Sequence, residues 1–165
     1  LPDYMVETFS VGAHTAAAAN ALCVVGVLIS GLSTGWLLRK GVPLGLLFGG
    51  ATLIQAVVWV VAPYLGAITG LVAITLYGVV SGAAPTCLFA VPGRLLGGSR
   101  AGPTAFGPLM AGRNLGIFAT PILAGWLIGF GGWHEVGLIF GAVTFVSTIA
   151  GVLMARAILN NKKAA

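Results

Sequence analysis

Charge is what this chain has least of. Asp, Glu, Lys and Arg make up 7% of its 165 residues, where soluble domains carry about 25%. Three acids and eight bases cannot cover a water-facing surface of this size, which excludes an ordinary soluble domain. Cysteine is nearly missing as well: Cys23 and Cys87 both lie in apolar runs, show no CxxC or metal spacing, and read as small packing residues. His14 and His134 fall in expected loops with no second ligand at helical spacing. No HExxH, nucleophile–base pair or phosphate-binding loop occurs. The expectation is therefore no catalysis, no metal and no cofactor. The pI near 9.8 comes from few, scattered bases, whereas nucleic-acid binders concentrate them on one face, so nucleic acid is excluded as a partner. No basic stretch precedes an apolar core at the start, as a signal peptide would require. The first residue is Leu, so the sequence reads either as starting late or as a piece of something longer.

What is present is apolar: 58% of residues, with mean hydropathy +1.06. The solvent that fits is lipid. Gly at 26 and Pro at 8 fit too, since both are commoner in membrane helices than in soluble ones. A spanning helix needs about 17–25 mostly apolar residues. Five runs qualify, at 15–38, 43–62, 66–90, 104–129 and 136–158. The breaks "RKGVP", "APYLG", "VPGRLLGGSRAGP" and "GFGGWHE" carry the Gly and Pro that end helices. The runs are continuous rather than alternating, which excludes a membrane β-barrel. The expected fold is an all-α membrane protein, one transmembrane domain over 1–165 with five spans.

Five spans put alternate breaks on opposite sides. All of the Lys and Arg except Arg113 then share one side, as Arg39, Lys40, Arg94, Arg100, Arg156, Lys162 and Lys163. The other side receives Asp3, Glu7, His14, His134 and Glu135. Basic residues favour the cytoplasm, so the N-terminus is expected outside and the C-terminus inside. The heptads "GWLLRKG" (35–41) and "GWLIGFG" (125–131) match, yet they close helices on opposite faces. This is what an inverted repeat of three-helix units predicts. On that reading 15–62 and 104–158 superpose after a half-turn, and the first unit lacks its opening helix.

These features resemble the C-terminal half of a major facilitator superfamily transporter. "LPDYMVE" looks like the outer end of the seventh of twelve helices. "GWLLRKG" resembles the cytoplasmic loop signature of Gly, three residues, acid, base and Gly in degenerate form. Arg39 stands where the acid belongs, and one residue is missing. "GVVSGAAPTCLFAVPGR" looks like a tenth helix and "GRNLGIFATPILAGWL" an eleventh, both most similar to the cyanate-permease-like branch. The resemblance implies secondary transport of a small solute by alternating access. The solute would bind near the midplane, between this half and an N-terminal half. It also implies a bacterial cytoplasmic membrane as the location.

Arg113 is the residue that needs explaining. It sits about 14 Å along its span at ~1.5 Å per residue, close to the middle of the bilayer core, where charge is costly and faces a cavity or a partner. Its planar fork suits a carboxylate. Three readings stand: an anchor for an anionic substrate, a bond to the other half, or a helix that starts later and leaves the charge near the headgroups. Asn114 points about 100° away from it and is read as a second substrate contact or a helix–helix bond. Gln55, near the middle of the second span, has the same two readings. Asn20, Thr75, Ser81 and Thr86 can satisfy themselves on backbone carbonyls. Pro85 and Pro121 are expected to kink their spans. Gly pairs four apart, such as Gly78/Gly82, Gly112/Gly116 and Gly137/Gly141, predict close helix crossings. The reading that follows is a transporter half handling an anionic solute, with the bilayer and the missing half as partners. The alternative is a truncated helical subunit that packs into a larger membrane complex and transports nothing.

Overall fold

The computed structural model describes residues 2–96 and 102–164, so Arg100 lies outside the described residues. The chain is all-helical there: α1 (Pro2–Phe9), α2 (Ala13–Arg39), α3 (Leu44–Val61) with a short 3-10 turn at Ala62–Tyr64, α4 (Ala67–Ser81), α5 (Ala83–Leu96), α6 (Pro103–Gly131) and α7 (Trp133–Ala164). Five stretches are long and apolar enough to cross a membrane: Ala13–Arg39, Leu44–Tyr64, Ala67–Leu96, Thr104–Gly131 and Trp133–Ile158. This marks an integral membrane protein, and each stretch overlaps one expected span. Leu22, Leu28, Leu32, Ile68, Phe118 and Phe130 point outward, largely uncovered, as side chains do when the solvent is hydrocarbon.

The helix ends follow local chemistry. After α2, Gly41 takes a positive φ of 89°, and the Gly41 and Val42 amides donate to the carbonyls of Leu38 and Leu37. That pair of bonds satisfies the last orphan carbonyls, and Pro43 then bars further helix. Inside the third span the chain does more than kink: α4 stops at Ser81 and α5 restarts at Ala83. Pro85 has no N–H for the Ser81 carbonyl, and its ring clashes with it. The Ser81 hydroxyl donates to Tyr77 O at 2.6 Å. Pro85 thus falls in the first turn of α5, where a missing N–H is harmless. His14 and His134, expected in loops, lie in the first turns of α2 and α7, both exposed.

α3 packs most extensively on α7, and α2 on α4. Glycines make these crossings close. A Cβ on Gly78 would sit 2.5 Å from Cys23 Cα, and one on Gly82 would run into the Val27 carbonyl. One on Gly137 would sit 2.5 Å from Trp59 O. Cys23 and Cys87 are buried and free, and the Cys23 thiol donates to Ile74 O at 3.3 Å. The α3–α7 seam also carries a polar pair that the sequence reading missed: the Thr148 hydroxyl donates to Thr52 Oγ1 at 2.9 Å, in the buried core. Thr52 can still donate to Phe48 O at 2.8 Å, so losing its partner strands nothing. Thr148→Val should therefore lower unfolding stability in detergent by only about 0.6 kcal/mol, the average for interhelical bonds in a membrane. A loss several times larger would mean the pair sets the register of the seam.

α6 is the exception to this packing. Its contacts are with α7 and, more weakly, α5, and most of its described residues are exposed. Gly107, Gly112, Gly116, Gly125 and Gly129 have nothing within 4 Å of where a Cβ would stand.

Candidate functional site

The two ends of the bundle differ in chemistry. One end gathers aromatics. Tyr4 meets Trp133 edge-on at 5.0 Å between ring centroids, Trp59 meets Phe140 at 5.4 Å, and Trp126 meets Phe130 at 4.7 Å. All three acids belong to this end, on α1 and in the first turn of α7. Trp133 Nε1 donates to Glu7 Oε2 at 2.6 Å, fastening α1 to α7. The other end carries the bases Arg39, Lys40, Arg94 and Arg156. There the Lys40 ammonium lies 3.8 Å from the centre of the Trp36 ring, a cation–π contact. Trp36 and Trp126 therefore sit at opposite ends of the bundle.

Two cavities open between helices on the sides of α6. The first, about 610 Å³, lies toward the aromatic end and is lined by Tyr4, Trp59, Tyr77 and Trp133 together with α6 and α7. The Tyr4 hydroxyl is buried with no hydrogen-bond partner. Sequence reading missed this cluster. Its members come from α1, α3, α4, α6 and α7, and no spacing along the chain announces them.

The second cavity, about 470 Å³, lies between the first turns of α5 and the first half of α6, and it is the one that holds Arg113. Pro85, Leu88 and Phe89 form one wall; Pro108, Leu109, Gly112 and Arg113 form the other. Phe89 and Phe106 span the crevice with ring centroids 6.4 Å apart. Arg113 is nine residues past Thr104 in a span that runs to Gly131. At ~1.5 Å per residue, that puts it about 7 Å from the middle of the helix, on the basic side. Arg113 lines this apolar crevice and is itself exposed; the acids lie at the far end of the bundle, so no carboxylate of the described residues stands at its depth.

The other expected site residues do not join Arg113. Asn114 is exposed on α6 and lines neither cavity. Gln55 is half-buried on α3, a helix that packs on α7, α4 and α5. Its Nε2 is buried without a partner. Thr75, Ser81 and Thr86 each donate to the carbonyl four residues back, at Leu71, Tyr77 and Gly82, as their residue types allow. Comparison with known proteins finds no matching family model, curated protein or solved structure.

Proposed function

We propose that this chain is the C-terminal half of a secondary transporter of the major facilitator type, moving a small anionic solute across a bacterial cytoplasmic membrane. The observation that carries the reading is Arg113, a permanent cation within a transmembrane helix, open to an apolar cavity. Intramembrane charges mark solute pathways or partner groups, and no acid of this chain lies at its depth to serve as the partner. Two further observations support the half-transporter. α6 carries Gly pairs of the kind that elsewhere in the bundle close helix crossings, but here they meet nothing, so α6 is built for neighbours this chain does not supply. The opposite ends taken by Trp36 and Trp126 agree with an inverted repeat.

The reading sets an orientation. The base-rich end faces the cytoplasm, and the aromatic end with Asp3, Glu7 and Glu135 faces out. A Cys at His14 should react with a membrane-impermeant maleimide on intact cells, and a Cys at Lys40 only after permeabilisation. The opposite labelling pattern reverses the assignment. Function itself is tested by uptake of labelled carboxylates into vesicles containing the full-length gene product. Saturable, Arg113-dependent uptake is expected. If no anion is taken up, the exposed α6 is instead the contact face of a non-transporting subunit within a larger complex.

A further inference from the structure

Resting on the reading of Arg113 as the solute anchor, we infer that the solute is a monocarboxylate with an apolar tail, not a small polar anion or a dicarboxylate. Arg113 is the one charged group lining its cavity. Around it stand Pro85, Leu88, Phe89, Pro108 and Leu109, whose side chains neither donate nor accept hydrogen bonds. The two prolines also lack a backbone N–H. A solute bound here has one polar end satisfied by the guanidinium fork. A second carboxylate, or a chain of hydroxyls, would give up water along these walls and find no replacement. A hydrocarbon tail meets the opposite condition and gains by leaving water against Leu88, Phe89 and Leu109. The volume, about 470 Å³, is that of a small-molecule site and far exceeds what a bare carboxylate fills.

The experiment is equilibrium binding to the full-length gene product in lipid nanodiscs, with empty nanodiscs subtracted for partition into lipid. The probes are acetate, butyrate, hexanoate, hexanamide, adipate and inorganic phosphate. Affinity should tighten about threefold to fourfold per added methylene from acetate to hexanoate. Adipate and hexanamide should each bind at least about tenfold more weakly than hexanoate. Arg113→Gln should abolish the preference for hexanoate over hexanamide, and Phe89→Ala should flatten the chain-length series. Should Phe89→Ala lose its helical signal, Leu109→Ala on the other wall repeats the test. A flat series, with acetate or phosphate binding through Arg113 as tightly as hexanoate, overturns the apolar-tail inference and leaves anion transport standing. Absence of any Arg113-dependent anion binding overturns the transport reading itself.

Discussion

Arg113→Ala should weaken solute affinity ten- to hundredfold, Arg113→Lys should fall between it and the wild type, and neither should weaken the fold of this chain. The size follows from the bond being replaced, since a hydrogen bond to a charged group contributes about 1.5–3 kcal/mol. The ordering follows from shape. Lysine keeps the charge but presents a point rather than a fork, and loses the second parallel bond to a carboxylate. An unchanged fold separates function from architecture. A charge at the centre of a spanning helix costs about 2.5–3.5 kcal/mol on insertion scales, and Arg113 sits within about 7 Å of that centre among apolar walls. Replacing it by leucine should therefore make the chain insert better and resist unfolding better, while binding fails. Were Arg113 an ion-pair partner for another membrane segment, Arg113→Ala would instead disrupt assembly and leave the half-saturation of any assembled transporter unchanged. That pair of results would sink the anchor role. A guanidinium labelled freely from the cytoplasmic water in the empty state would do so as well, because the residue would then be an interfacial anchor.

How much of this was legible in the sequence depends on the range of the force involved. The spans were legible because lipid acts on every residue of a run alike. The stretch expected at 104–129 is built as Thr104–Gly131, and that expected at 43–62 as Leu44–Tyr64. The ends were legible where one residue fixes them, as Gly41 and Pro43 do after α2. The break at Gly82 was half legible: Pro85 announced a disturbance, but where the helix restarts depends on the crossing with α2, where Ser30 Oγ accepts the Gly82 N–H at 3.0 Å. The grouping of side chains was not legible. Arg113 stood out because its cost is intrinsic to its depth. Its wall, Pro85, Leu88 and Phe89, lies some 25 residues away along the chain, and apolar residues in an apolar chain carry no signal of which neighbour they will meet. Gln55 and Asn114 were singled out for polarity and depth, and neither says which way a helix face is turned.

The same blindness affects the glycines, and substitution can expose it. With 26 of them, pairs four apart arise freely, and the sequence alone ranks Gly78/Gly82 with Gly112/Gly116. Their surroundings separate them. Gly78→Leu or Gly82→Val would drive a side chain into the α2 backbone at Cys23 or Val27. Backbone cannot rotate away as a side-chain tip can, so the upper part of the overpacking range, about 3 kcal/mol, is expected. Thermal or denaturant unfolding in detergent would read this as a clear loss, because α2 and α4 form one of the two main seams of the fold. Gly112→Leu and Gly116→Leu meet open space. They should leave the chain's own stability unchanged or slightly raised, since leucine is a better helix former than glycine by roughly 0.8 kcal/mol. Gly112 also lines the cavity that holds Arg113, so Gly116→Leu is the variant that isolates packing: it is expected to abolish uptake in the full-length transporter, because a leucine there would hold off any helix approaching α6 through the small-residue face that allows close contact. If Gly116→Leu transports normally, α6 faces lipid rather than a partner. The unpacked helix would then be a lipid-facing surface of the bundle, and the half-transporter reading would lose its packing argument while keeping only Arg113.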